Sequence, residues 1–257
     1  MVELSTVEDA DLERRFGGLR RLYGDAGYAR LRAARVAVVG VGGVGSWTAE
    51  ALARSGVAAL TLIDFDHVAE SNVNRQVQAL GTTLGASKVL ALKARIADIH
   101  PGCTVHAIEA FVEDEDWAAL LPQDIDALAD CCDQSRAKLL LARWALVQRI
   151  SFVSVGAAGG KRRAQDVEVD DLSRVTHDPL LASLRTRLRK SDSPRGGSGL
   201  GVRCVFSREA VKTPTADAAV DGSLNCAGYG SSVTVTATFG FVAAGELLQQ
   251  LLQQGVE

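Results

Sequence analysis

Arg35-Val36-Ala37-Val38-Val39-Gly40-Val41-Gly42-Gly43-Val44-Gly45 begins as an apolar run and ends with four glycines among its last six residues. The first part, Arg35 to Gly40, reads as a buried strand. Beyond the glycines, Ser46 to Arg54 reads as a helix. A glycine-rich turn between strand and helix lets backbone N–H groups approach a phosphate or ribose, and the helix N-terminus favours negative charge there. The next strand, Ala59 to Asp64, ends on a carboxylate at the spacing of a ribose-hydroxyl acceptor. On its own this pattern suits a nicotinamide- or flavin-dependent oxidoreductase as well as an ATP-using enzyme.

Outward from that turn, strands and helices alternate. Thr104–Ile108, Ile125–Ala129 and Ser151–Val155 read as strands. Ser87–Ile99 carries Val89, Leu90, Leu92, Ile96 and Ile99 at helical spacing and is stopped by Pro101, and Gln134–Val147 is also helical. The alternation predicts an α/β fold, a doubly wound, Rossmann-like and mostly parallel sheet. From Gly156 to Gly230 the pattern breaks down. Short strand candidates (Val167–Val169, Val202–Phe206) flank a Gly-Ser-Pro-rich patch at Ser191–Gly201, which reads as a crossover or insertion with a mobile loop. Thr234–Leu252 reads as a closing helix. The expected organisation is one domain: a helical arm over 1–34, a nucleotide-binding core over 35–155, a basic insertion or crossover over 156–230, and the closing helix over 231–257.

Composition limits the function classes. With 257 residues, 47% hydrophobic, and a net charge of −3, the chain can build a core and is not a disordered segment. Met1 to Asp9 is acidic and lacks an apolar run, unlike a secretory signal. The apolar stretch Val233–Ala244 is interrupted by Thr234, Thr236 and Thr238 and stopped by Glu246, so it reads as too short and too polar for a membrane span. The five cysteines contain no CxxC pair, against a disulfide framework or a structural zinc site; a reducing cytoplasm is the expected setting. From Arg185 to Lys212 there are eight basic and two acidic residues, a local +6 that leaves −9 for the rest. Such a segment suits a polyanionic partner or, alternatively, a solvated surface loop.

Discrimination comes from the residues beyond the ribose carboxylate. Ser71-Asn72-Val73-Asn74-Arg75-Gln76 comes soon after Asp64, and Lys88 opens the next helical segment. Two cations there can reach one triphosphate from two sides and stabilise a departing pyrophosphate. Asp133 lies just past a strand end, at the sheet's carboxyl edge, where a carboxylate can hold Mg²⁺ against phosphates. Each has a structural alternative: Arg75 and Lys88 as surface charges, Asp133 as a helix N-cap.

Taken together, Gly40-x-Gly-Gly-x-Gly45, Asp64-x-Asp66, Ser71-Asn72-x-Asn74-Arg75-Gln76, Lys88 and Asp133 resemble the signature of the ubiquitin-activating-like family, whose members adenylate a carboxylate with Mg-ATP. The resemblance implies that Asp64 binds the ribose, that Asn72, Arg75 and Lys88 contact phosphates, and that Asp133 serves Mg²⁺. It adds Gly40, Gly42, Gly43, Gly45, Asn74, Gln76 and Gln134 to the ATP-binding set. Sulfur-carrier activators of the family usually carry two zinc-binding CxxC pairs, which this chain lacks, so no zinc is expected. They also carry an N-terminal arginine that reaches the partner subunit's ATP. Here Gly18 stands at that arginine's place within Arg15-Phe16-Gly17-Gly18, with Arg20 and Arg21 as substitutes and Arg21 the choice.

Arg15-Phe16-Gly17-Gly18, Arg21-Leu22-Tyr23-Gly24, Asp178-Pro179-Leu180, Cys204-Val205-Phe206-Ser207-x-Glu209-Ala210 and Thr234–Val242 are similar to the branch acting on threonylcarbamoyladenosine in tRNA. That implies a homodimer using ATP to cyclise a threonylcarbamoyl group, with tRNA as substrate and a sulfur-relay or cysteine desulfurase system as a further candidate partner. Arg185, Arg187, Arg189, Lys190 and Arg195 are the candidate tRNA contacts. Cys226 falls where some members keep a functional cysteine, but a ring closure within the substrate needs no enzyme nucleophile, so packing is the competing reading. Cys131 and Cys132, adjacent at a strand end, should point to opposite faces. Competing assignments are a sulfur-carrier activator, a nicotinamide-dependent oxidoreductase, and a non-enzymatic tRNA-binding protein.

Overall fold

Strands buried on both faces show which side chain goes where. In β1 (Arg35–Val39), Val36 and Val38 enter one hydrophobic core while Ala37 and Val39 enter the other. The same alternation holds in β4 (Ala127–Asp130), β5 (Ser151–Val155) and β7 (Arg203–Ser207): Ala129, Val153 and Val205 face the first core, and Leu128, Phe152 and Phe206 the second. The computed structural model describes residues 10–122, 124–191, 199–211 and 229–254, without the side chains of Glu115 and Ser191.

With β2 (Ala59–Ile63), β3 (Thr104–Ile108) and β6 (Val167–Asp171), these strands make a seven-stranded sheet in the order β3-β2-β1-β4-β5-β7-β6. Every pairing is parallel except β6 with β7. The order reverses between β1 and β4, so their carboxyl ends form the crevice where open α/β sheets bind ligands. Helices α2 (Gly45–Arg54), α3 (Lys88–Ile99) and α6 (Val233–Gln253) supply the first core; α4 (Ser135–Gln148) and α5 (Pro179–Ser191) supply the second. Glu50 on α2 joins α3 through both oxygens to Arg95, at 2.6 and 3.1 Å, and pairs with Arg54 on its own helix.

Helix α1 (Leu12–Ala33) starts at Asp11, whose carboxylate accepts from Arg14 N at 2.9 Å, and is broken at Gly24, where φ is +72°. Arg15 donates to the carbonyls of Asp98 and Ile99, tying α1 to the end of α3. Arg20 is held by Glu13 and Asp25 and lies over the Tyr28 ring, whereas Arg21 is exposed.

Two expectations need correction. The stretch after Gly156 does not lack regular structure: β6, α5 and β7 extend the same sheet and its cover. Helix α5 begins at Asp178, whose Oδ1 accepts from Leu181 N at 3.0 Å. The apolar stretch near the end of the chain is also longer than it first reads. Helix α6 spans 21 residues and is long and apolar enough to cross a membrane by length and composition. It packs instead as a core helix, burying Val235, Phe239, Ala243, Leu247 and Leu251 along one stripe.

Candidate active site

The glycine turn is held from three sides. Gly40 has φ +82°, and a Cβ there would lie 3.0 Å from the Cys131 carbonyl. A Cβ at Gly45 would fall 1.8 Å from the Gly40 oxygen, so only glycine closes this turn. Helix α2 starts at Val44 with no side-chain cap, and the amides of Gly42, Gly43 and Val44 donate to nothing among the described residues. Uncapped amides at a helix N-terminus form an anion-binding cradle.

Asp64 faces this turn from the end of β2. Its Oδ2 accepts from Val41 N at 2.8 Å and its Oδ1 from Asp66 N at 2.9 Å. Burial raises its carboxyl above the ordinary range, although Lys88 and the two amides oppose that shift. Lys88, only 6% exposed at the start of α3, pairs at 2.7 Å with Asp66, whose carboxylate is largely exposed. An ammonium held by one solvent-facing carboxylate can turn to an incoming phosphate without breaking a buried pair.

The Ser71–Gln76 segment crosses over the turn. Arg75 donates from Nη1 to Ser71 O at 2.5 Å and Asn74 Oδ1 at 3.0 Å, and its Cγ would lie 3.3 Å from a Cβ on Gly43. Asn74 Nδ2 donates to Ser231 O at 2.9 Å, just before α6. Asn72 is buried and its Oδ1 accepts from Ala69 N, so it shapes the segment. Gln76 is buried beside Gly42, its Nε2 lying 3.8 Å from the position of a Cβ there.

Asp133 is exposed and makes no hydrogen bond or ion pair among the described residues. It does not cap α4; that position is Gln134, also exposed, which makes no side-chain cap bond. One carboxylate beside the Gly40 turn fits Mg²⁺, which takes one or two carboxylates and fills its octahedron with phosphate oxygens and water. No cluster of three or more metal-ligating side chains exists among the described residues.

Beneath Asp133 lies a feature that sequence reading missed. Asp130 and Lys138 are both 0% exposed and pair at 3.0 Å. Asp130 Oδ2 also accepts from Ser154 Oγ at 2.6 Å, Oδ1 accepts from Cys132 N at 3.1 Å, and Lys138 donates to Val155 O at 2.6 Å. This network fixes the turn that presents Asp133. The available signal was a strand-ending aspartate with a lysine eight residues on, inside an otherwise apolar helix face.

Cys131 packs in the first core and Cys132 in the second, on opposite faces as expected. Burial pushes the Cys131 thiol up to about 12 and raises that of Cys132, so neither is a nucleophile at neutral pH. Cys226 and Arg195 lie outside the described residues, as does Lys212. In the basic segment, Arg185 is half-buried and donates from Nη1 to Val175 O at 2.6 Å and Leu172 O at 3.3 Å, which ties it to the segment before α5. Arg203 pairs with Glu246 and Arg208 with Glu168. Arg187, Arg189 and Lys190 lie on the exposed side of α5.

A ribose-type carboxylate, an uncapped glycine turn and two cations at a topological switch point define a nucleotide-binding α/β enzyme that handles phosphates. Residues 15–257 match the ThiF family, and the chain belongs to it. It is 38% identical over 249 residues to a Haemophilus influenzae tRNA threonylcarbamoyladenosine dehydratase, covering 94% of this chain and 95% of that one. The fold matches the solved Escherichia coli tRNA N6-threonylcarbamoyladenosine dehydratase in complex with ATP, with a TM-score of 0.86, 39% identity, and coverage of 98% and 100%. The likeness to Escherichia coli molybdopterin-synthase adenylyltransferase is 33% over 158 residues and covers only 62% of each chain.

Proposed function

We propose that this chain uses ATP to adenylate the threonine carboxylate of N6-threonylcarbamoyladenosine in tRNA and so drives its dehydration by cyclisation. The observation that carries the reading is the placement of Asp64, Arg75 and Lys88 around the Gly40–Gly45 turn, with Asp64 on Val41 N, Arg75 packed against Gly43 and Lys88 near Asp64, in a chain alike over nearly its whole length to dehydratases acting on that nucleoside.

Hydroxide is a poor leaving group, so losing water from a carboxylate requires activation. A carboxylate oxygen attacks the α-phosphorus, the bond to the bridging oxygen breaks, and pyrophosphate leaves with its charge met by Arg75 and Lys88. A nitrogen or oxygen of the same side chain then attacks the acyl carbon and loses its proton. AMP departs carrying the former carboxylate oxygen. Ring closure within one side chain benefits from high effective molarity. Asp64 accepts from the ribose, and Gln134 and Asn74 border the nucleotide. Asp133 is the residue that would hold Mg²⁺, which offsets triphosphate charge when bound. The sequence requires neither a ubiquitin-like carrier nor a cysteine thioester.

Homodimerisation, with Arg21 reaching the partner subunit's nucleotide, belongs to the same reading; Arg20 is less available because it is already engaged by Glu13, Asp25 and Tyr28. The exposed cations Arg187, Arg189 and Lys190 of α5 are the reading's tRNA-backbone contacts. Mass spectrometry of nucleosides from tRNA incubated with enzyme and ATP tests it, with thin-layer chromatography of the nucleotides alongside. Loss of one water from threonylcarbamoyladenosine, with AMP formed, is expected. ADP without AMP would exclude adenylation.

A further inference from the structure

Where the segment leaving β5 meets the segment entering α6, the surface holds a groove of about 410 Å³ lined by Gly160, Lys161, Arg162 and Tyr229–Ser232. Its floor is two glycines in the left-handed region, Gly160 at φ +74° and Gly230 at φ +70°, joined by a 2.9 Å bond from Gly160 N to Gly230 O. A Cβ at Gly160 would stand 2.7 Å from Val211 Cγ1 and 3.5 Å from Tyr229 Cβ. Glycine there lets the tyrosine lie along the groove wall. The Tyr229 residue is 41% exposed.

The groove's charged lining residues are both cations, Lys161 and Arg162, with the Glu209 carboxylate behind the Arg162 amide. Lys161 is 2% exposed and donates to the carbonyls of Ser207 and Glu209, at 3.0 and 2.8 Å, with no carboxylate in direct contact among the described residues. Arg162 is exposed; its backbone amide is fixed by Glu209 Oε2 at 2.9 Å, and its guanidinium makes no hydrogen bond or ion pair among the described residues. The groove also touches the phosphate machinery. Ser231 in its wall accepts from Asn74, whose Oδ1 accepts from Arg75. An occupant therefore sits two hydrogen bonds from the cation assigned to the pyrophosphate.

A flat apolar ring, a free cation at the rim, and a volume in the range of small-ligand sites together suit a nucleotide. We propose that this groove is the substrate subsite, in which Tyr229 stacks on an RNA base at or beside the modified nucleoside and Arg162 takes an adjacent RNA phosphate. The proposal deepens the dehydratase reading and rests on it. Base stacking on an aromatic residue contributes roughly 1–3 kcal/mol, or about 5- to 150-fold in affinity.

The test uses the full-length enzyme, ATP and a synthetic RNA stem–loop carrying threonylcarbamoyladenosine. Tyr229→Ala should raise KM for the RNA about tenfold or more, and Tyr229→Phe should stay within about twofold of wild type. Arg162→Glu should raise KM and flatten the salt dependence of RNA binding by about one phosphate's worth. ATP affinity, measured by calorimetry, should change by less than about twofold in all three, and circular dichroism reports their fold. RNA KM within twofold of wild type for both Tyr229→Ala and Arg162→Glu would overturn the subsite. Equal losses for Tyr229→Ala and Tyr229→Phe would overturn stacking, and loss of ATP binding would make the groove part of the nucleotide site instead. The two readings fail differently: an inactive wild type overturns the dehydratase reading and the subsite with it, whereas an active wild type with indifferent variants overturns the subsite alone.

Discussion

Replacing Lys138 by Met tests how the edge of the active site is held. Lys138 and Asp130 are both 0% exposed, and the ammonium serves two acceptors, Asp130 Oδ2 at 3.0 Å and Val155 O at 2.6 Å. Methionine keeps roughly the length and volume of the stem but removes every donor. Asp130 then stays buried without its counter-ion, with two donors left, Ser154 Oγ and Cys132 N. Stranding one member of a buried ion pair costs about 3–5 kcal/mol. The two surviving hydrogen bonds put the expected cost near the lower end, about 3 kcal/mol. That is a large share of the roughly 5–15 kcal/mol by which domains are stable. With a urea m-value of about 3 kcal/mol per M, the unfolding midpoint should fall by about 1 M. Adding Asp130→Asn removes the stranded carboxylate while keeping an acceptor for Cys132 N, so the double variant should recover at least about 2 kcal/mol. A Lys138→Met midpoint within a few tenths of a molar of wild type, or a double variant no better than the single, would refute the reasoning.

Asp133→Ala should leave the fold intact, because the carboxylate has no partner among the described residues, and should lower turnover on the order of 10²–10³-fold; activity within a few-fold of wild type removes it from the mechanism. His100 should make stability fall in mild acid. Burial, with the Arg32 guanidinium beside it, lowers its pKa from 6.5 to about 4, so its contribution of about 3 kcal/mol is complete above about pH 6.5 and lost as pH falls toward 4. Urea midpoints across that range, compared with those of a non-titrating His100→Asn variant, check it; parallel profiles would count against it. Replacing Arg187, Arg189 and Lys190 on α5 with Glu should flatten the salt dependence of tRNA filter binding while sparing ATP affinity, and an unchanged slope would place the RNA backbone elsewhere.

The central strands were legible because they are buried on both faces, which writes them as near-continuous apolar runs, and β5 falls on the expected residues. The half-exposed edge strand β3 also does, through Val105, Ala107 and Ile108. The glycine turn and Asp64 were legible because their chemistry demands particular residues at fixed spacing. Helix α5 was not, since its core face is only Leu181, Leu184 and Leu188 among arginines and a lysine. Asp178 followed by Pro179 was the start signal that went unused. The half-buried placement of Arg185 depends on carbonyls at Leu172 and Val175, which sequence charge counting cannot place. The Asp130–Lys138 network escaped because its partners come from β4, α4 and β5, and pairing across elements is set by register.

Helix α6 leans on the back of the glycine turn. A Cβ at Gly240 would meet Val44 O at 2.6 Å and Trp47 Cβ at 2.7 Å, Thr48 Oγ1 donates to Gly240 O at 3.2 Å, and Phe241 meets Trp47 edge-on at 5.7 Å. The turn laid down around residue 40 is thus buttressed by an element that a ribosome makes about 200 residues later. At roughly 5–20 residues per second, the nascent chain spends about 5 to 20 seconds with its first five strands made and that buttress missing. During that time the uncovered side of the sheet is a natural chaperone client, and the nucleotide site cannot take its final shape. A message truncated before α6 should therefore yield an aggregation-prone fragment rather than a weak enzyme.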